Sequence, residues 1–275
     1  MGIASLKLNM VESLENNGTA SYLLGIGSDA KTVKGFDRGF LTGILYLEPS
    51  DGSGVNLCKF SSLGCRSVCL KESGRLRMES VSAKKNDTIT GRMKRSYQLL
   101  TDKIGFLKQL HHEIELMVKR ADKIGLIPAI RLNGLSDLKW ESVINSFPSV
   151  QFYDYTKDEN YYIKFQYGEL PENYHLTYSI SESEDPIKLL ESAQYHNKNI
   201  SLAIPFFPES YDRILKDGEL FVNPRLSVPV IDGDKNDLRF TDPKTCIVAL
   251  KAKGIALKVE SYGFIRTYCA SGLII

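Results

Sequence analysis

Short apolar runs and helix-spaced stretches alternate along most of this chain. The first clear strand pattern is Leu41 to Glu48 (LTGILYLE), closed by Pro49 and the loop signal SDGSG. Residues 79–124 read as helical: Phe106, Leu107, Leu110, Ile114, Met117 and Val118 recur at helix spacing, and Gly125 follows the last apolar position. Then come a strand (LIPAIRLNG), a short amphipathic helix (LKWESVINSF), a strand (VQFYDYT) and a strand (YHLTYSIS). DPIKLLESAQYH reads as a helix, with Asp185 at its N-cap and Pro186 at its first position. SLAIPFF is a strand and PESYDRILKDG a helix ending at Gly218; LSVPVID, CIVALKAKG and YGFIRTYCA complete the apolar runs. Residues 1–40 are Gly- and Ser-rich with weak periodicity and read as an irregular arm or cap.

Buried runs alternating with helices indicate an α/β fold with a parallel sheet and right-handed crossovers. Roughly seven or eight strands fit a full or partial TIM-like β/α barrel better than a flat sheet. The expected organisation is one barrel-like catalytic domain over 41–275, preceded by the arm at 1–40. No G-x-G-x-x-G follows an early strand, so the dinucleotide signature is absent.

Composition narrows this only at the margins. With 43% hydrophobic and 25% charged residues, the chain is an ordinary folding sequence. A net charge of +2 disfavours a strongly basic coat for nucleic acid. No stretch of 18 apolar residues exists to span a membrane, and the N-terminus lacks an apolar signal core. The default compartment is the cytoplasm, where clustered cysteines are ligands more often than bridges.

Such a cluster follows the first strand. In NLCKFSSLGCRSVCL, Cys58, Cys65 and Cys69 are spaced C-x6-C-x3-C. In a β/α barrel this loop sits at the C-terminal mouth, where active sites lie. A closed zinc site uses four ligands, and here Cys246 and Cys269 are single and distant. Three thiolates instead suit a four-iron, four-sulfur (4Fe–4S) cluster with one iron left for substrate or S-adenosylmethionine. The alternatives are zinc completed by a ligand from elsewhere and three reduced cysteines packing a loop. Gly54 and Gly64 are read as supplying the positive φ that a loop wrapping a cluster demands.

NLCKFSSLGCRSVCL, RLNGLSDLKWE, VQFYDYTK, NYHLTYSISE and VIDGDKNDLRFTDP together resemble the bacteriophage "gene product eighty-eight" family, from about Asn56 to Gly254. The cysteine loop is also similar to that of three-cysteine-motif phage proteins, although their third Cys is one residue closer and followed by Tyr, where Leu70 stands here. Both groups resemble, distantly, the radical S-adenosylmethionine barrel enzymes, whose usual C-x3-C-x2-C spacing this loop does not match. The resemblance implies a phage origin more firmly than an activity.

Polar residues at strand ends are the other candidates. Arg131 and Asn133 share one strand face at spacing 2; with Ser179 and Ser181 they are expected to bind the cofactor. Asp154, between Tyr153 and Tyr155, is a candidate nucleophile or general base, with Asp137 beside it; Asp137 can equally cap the helix LKWESVINSF. His175 stands at a strand start and is not nominated. DGDKND departs from the calcium-loop spacing and reads as a turn. Lys71, Arg75, Arg77, Lys84, Lys85, Arg92, Lys94 and Arg95 form a locally basic stretch, with all of these but Lys71 and Lys94 proposed as contacts to a nucleotide or nucleic-acid substrate.

The leading expectation is therefore a radical S-adenosylmethionine-like enzyme that modifies a nucleobase or nucleotide. A second is a barrel transglycosylase inserting a 7-deazaguanine into phage DNA through an Asp nucleophile. A third is a non-catalytic protein that disables a host factor. Substrate identity and oligomeric state leave no mark on the sequence.

Overall fold

The computed structural model describes residues 20–27, 30–49, 52–72 and 87–275. Nine strands form one sheet: β1 (Leu24–Ile26), β2 (Phe40–Leu45), β3 (Ile127–Arg131), β4 (Gln151–Thr156), β5 (Tyr174–Ser179), β6 (Ser201–Phe206), β7 (Glu219–Asn223), β8 (Leu226–Asp232) and β9 (Cys246–Lys251). Their spatial order is β1-β2-β3-β4-β5-β6-β9-β8-β7. From β2 to β8 every neighbouring pair is parallel, while β1 and β7 join the two edges antiparallel.

The helices are α1 (Ala30–Phe36), α2 (Leu63–Ser67), α3 (Asp87–Thr101), α4 (Lys103–Ile124), α5 (Glu141–Asn145), α6 (Glu159–Gln166), α7 (Pro186–Tyr195) and α8 (Pro208–Asp217). Five parallel strands, β2 to β6, follow one another in chain order, and their connecting helices pack on one face of the sheet. That face holds the main core. Phe106, Leu110, Ile114 and Met117, one stripe of α4, pack with Leu41, Ile130, Phe152, Leu176, Leu202 and Ile247 from the strands. Alternation sends the intervening residues to the opposite face. There the β8–β9 connection folds back over the strands: Leu238 and Phe240 pack on Phe40, Ala129 and Tyr153.

The expected α/β class with a parallel sheet is present, but the sheet does not close into a full barrel. β9 inserts between β6 and β8, and the β7–β8 hairpin turns the last edge antiparallel, so β7 and β1 end the sheet rather than meet.

Three local expectations need correction. The segment 1–40 is not wholly an arm: β1 pairs with β2, and the Thr42 hydroxyl of β2 donates to the Thr32 carbonyl of α1 at 2.9 Å. Residues 1–19 lie outside the described residues. The helix expected over 79–124 is two helices divided at Asp102, whose carboxylate accepts from Gly105 N–H at 2.9 Å and starts α4 afresh; residues 79–86 lie outside the described residues. YGFIRTYCA is not a strand; it touches the sheet through a single bridge, Phe206 to Arg266. Asp185 does cap α7, and Gly125 and Gly218 end α4 and α8 with φ of 70° and 72°.

Candidate functional site

The cysteine loop leaves β2 and crosses the C-terminal edge of the sheet. Beyond β3, Leu57 accepts from Asp137 N–H at 2.9 Å, and the Cys58 thiol donates to the Leu135 carbonyl at 2.8 Å. Beyond β5, the Glu182 carboxylate accepts from the Ser62 hydroxyl and from Gly64 N–H (2.9 Å). Ser62 in turn caps α2 through Cys65 N–H, and the Ser67 hydroxyl donates to the Glu260 carbonyl at 2.9 Å. The loop is thus tied over the ends of β2, β3 and β5 and to the C-terminal segment.

Glycine enters differently from the sequence expectation. Gly54 has φ of +83°, whereas Gly64 is helical and is needed for close approach. A Cβ on Gly64 would stand 2.4 Å from the Ser261 carbonyl oxygen and 2.7 Å from Phe264 Cβ. Gly64→Ala is expected to cost about 1–3 kcal/mol through this overpacking and to loosen the loop. A thermal melt paired with proteolysis at the loop checks it; an unchanged melting temperature would refute the tight docking.

Cys58, Cys65 and Cys69 are all half-buried and reduced. Burial pushes the Cys65 thiol up, against the pull of Lys157, and Cys69 raises it further. Burial likewise raises Cys69, opposed by Lys71. Among the described residues, no three His, Cys, Asp or Glu side chains stand together as a ready-made metal site.

The sequence reading missed Lys157, which directly follows β4 and faces this loop. Its ammonium donates to the Ser179 carbonyl (2.9 Å), the Ser179 hydroxyl (3.1 Å) and the Ile180 carbonyl (2.9 Å), and lies 4.6 Å from the centre of the Phe264 ring. Burial lowers its pKa, while Cys65, Glu184 and Glu182 oppose that. Parity carried the signal: Tyr153, Tyr155 and Lys157 alternate onto one side, and Tyr153 packs on the face away from the helices.

The same parity turns Asp154 the other way. It lies buried behind the sheet, accepting from Asn133 N–H (2.7 Å), Asn133 Nδ2 (3.3 Å) and Tyr174 Oη (3.0 Å). Burial raises its carboxyl to about 7. Asn133 does not share a site with Arg131, because the chain turns after β3. Its Nδ2 also donates to the Leu138 carbonyl, and its Oδ1 accepts from Ser136, Leu138 N–H and Trp140 Nε1. Asp137 does not cap α5. It accepts from the Thr156 hydroxyl and Lys157 N–H, each at 2.9 Å, and burial raises its pKa.

Arg131 points to the opposite face and forms a floor under the loop's edge of the sheet. Nη1 donates to Asp237 Oδ2 at 2.8 Å, Nε donates to the Asn133 carbonyl, and the guanidinium lies 4.6 Å from the Tyr155 ring centre. Burial disfavours its charge, but Asp237 outweighs this and raises its pKa. DGDKND is therefore more than a turn, since its last residue supplies the counter-ion. Ser179 is held by Lys157, and Ser181 donates to Glu184 through both its hydroxyl and its N–H, each at 2.6 Å. The residues expected in one cavity thus divide among the floor, the back of the sheet and the Lys157 clamp.

The family model described as Gene product 88 matches residues 22–268, a span that holds the cysteine loop, Lys157 and the Arg131–Asp237 floor. The chain belongs to the Gene product 88 family. This agrees with the bacteriophage family read from the motifs. No curated protein and no solved structure matches the chain. None of these comparisons supports the further likeness to three-cysteine-motif proteins or radical S-adenosylmethionine enzymes.

In this Gene product 88 family member the basic stretch is only partly open to view. Arg75, Arg77, Lys84 and Lys85 lie outside the described residues. Arg92 and Arg95 are engaged within the chain. Arg92 is buried with Nε 2.9 Å from Glu48 Oε2, and Arg95 donates to the Tyr46 carbonyl at 2.8 Å, its pKa lowered to about 10 by burial. Among the described residues, no helix is long and apolar enough to cross a membrane.

Proposed function

We propose that this chain is an enzyme of the radical S-adenosylmethionine type, acting on a nucleobase or nucleotide, with Cys58, Cys65 and Cys69 holding an iron–sulfur cluster. The observation that carries this reading is the path of the cysteine loop. It runs over the ends of β2, β3 and β5, on the edge where parallel α/β sheets bind their ligands. The donor chemistry fits: three soft thiols on one loop suit iron–sulfur ligation. Burial holds Cys65 and Cys69 protonated, and a metal ion is what deprotonates such thiols outright. The Cys58 thiol donates to the Leu135 carbonyl, a bond that cluster ligation would have to replace.

A cluster so held supplies one-electron chemistry. The remaining roles belong to the chain. Lys157 fixes a positive charge at the loop's edge of the sheet, and Ser179 acts through it. Arg131, Asp237 and Tyr155 form the floor. Asp154 and Asn133 hold the β3 loop that receives Cys58. The transglycosylase reading loses its first nucleophile, since Asp154 faces the helices.

Protein purified without oxygen is expected to be brown and to contain iron and sulfide. Cys58→Ser, Cys65→Ser or Cys69→Ser should each remove the iron, while Cys246→Ser and Cys269→Ser retain it. Metal analysis with an ultraviolet–visible spectrum reads the result. A colourless protein with one zinc per chain, or equal iron loss from the distant cysteines, would overturn the proposal.

A further inference from the structure

Among the described residues, the Lys157 ammonium forms no ion pair. Its three protons go to neutral oxygens: the Ser179 carbonyl, the Ser179 hydroxyl and the Ile180 carbonyl. Glu184 and Glu182, the carboxylates that act on it most, are committed elsewhere. Glu184 accepts from Tyr178 and Ser181, and Glu182 from Ser62 and Gly64 N–H. The lysine is half-buried. A cation drawn out of water onto neutral groups bears a desolvation cost that a nearby negative charge would offset.

Two sets of contacts tie this charge to the cysteine loop. On one side, Lys157 N–H donates to the Asp137 carboxylate, and Asp137 N–H donates to the Leu57 carbonyl, next to Cys58. On the other, the Phe264 ring centre lies 4.6 Å from the ammonium. Phe264 also bounds Gly64, the neighbour of Cys65: a Cβ on that glycine would stand 2.7 Å from Phe264 Cβ. Burial raises the Cys65 thiol, and Lys157 is the strongest influence the other way. Burial lowers Lys157, and Cys65 is the strongest influence against that. Each is thus the other's main electrostatic partner.

We infer that Lys157 is the counter-charge of the Cys65 thiolate and raises the reduction potential of the cluster held by the loop. The inference rests on the iron–sulfur reading above and adds which residue of the chain tunes that site. On reduction one electron enters from an external low-potential donor, and no bond is made or broken. Lys157 stabilises the added negative charge, because a fixed cation beside a ligating thiolate favours the more negative state. It acts through Cys65 and is therefore a positioning residue.

An anaerobic redox titration of the iron-loaded full chain, with dithionite as the electron donor and absorbance as the readout, tests the role. Lys157→Gln keeps hydrogen-bond donors but not the charge. It should lower the midpoint potential by about 59 mV or more, a tenfold change in the one-electron equilibrium. Lys157→Met lacks both and should fall at least as far, whereas Lys157→Arg keeps the charge and should stay near the wild type. A role in hydrogen bonding alone would instead leave Lys157→Gln at the wild-type potential, which would overturn the inference. Iron content gives a second reading should the neutral variants not hold the cluster: iron kept by Lys157→Arg and lost from Lys157→Gln supports the same charge role. Iron lost from all three variants would overturn it. In both overturning cases an iron-bearing wild type leaves the cluster standing. A wild type without iron would sink the cluster and this inference together.

Discussion

Asp237→Ala is expected to destabilise the fold by about 3–5 kcal/mol, because it strands the Arg131 guanidinium in the interior. The two side chains are each only 6–7% exposed, and Asp237, 2.8 Å away, is the largest favourable influence on the Arg131 charge there. Water cannot replace the lost carboxylate, so the cost is the desolvation of an unpaired cation and not the modest worth of a surface ion pair. Arg131→Met removes the charge together with its need for a partner. The double variant should therefore recover much of the loss, with the Met side chain lying against Tyr155 in place of the guanidinium. Urea unfolding at neutral pH of the wild type, both single variants and the double variant completes the cycle. Additive losses would show that the pair is not coupled, and the floor would then be held by its apolar neighbours alone.

The stability of the wild type relative to Asp154→Asn should fall as pH rises from about 4 to about 7. Asp154 has its carboxyl raised from 3.8 to about 7 by burial, so the folded state keeps a proton that the unfolded chain has lost. Below pH 4 both states are protonated and the group's contribution is complete. Through the window it declines, by up to roughly 4 kcal/mol for a fully buried acid. Above pH 7 both states are ionised and the difference levels off. The asparagine variant has no proton to lose, although it cannot reproduce all three bonds from Asn133 and Tyr174 and starts from a constant penalty. Unfolding free energies of the two proteins across pH 3 to 8 check it. A flat difference would mean that Asp154 titrates as an ordinary carboxylate and that its three donors outweigh its burial.

Much of the chain's local structure was legible in its residues. Apolar periodicity placed β3, β4, β5, β6, β8 and β9, and Asp185, Gly125 and Gly218 marked the helix ends where they are found. What periodicity lacked was short or unpatterned: β1 has three residues, and β7 (ELFVN) carries an exposed Phe221 where a buried residue would have announced a strand. Two covered faces also hide the orientation of a strand. Asp154 and Lys157 lie in and just after one aromatic strand, and the sequence alone could not say which face lay under the helices and which under the β8–β9 connection.

By itself the sequence determined the α/β alternation, the cysteine loop after the first parallel strand, and the motifs that place the chain in its family. Those depend on neighbouring residues, whose spacing sets side-chain direction and loop length. Tertiary structure alone decided that the sheet stays open, that Asp237 returns from 106 residues away to pair Arg131, and that Glu182 ties down the cysteine helix 118 residues before it. Those contacts join residues distant in the chain, and no local pattern encodes which carboxylate meets which cation. Burial then fixed the chemistry of each, because a charge removed from water is governed by the partners the fold supplies.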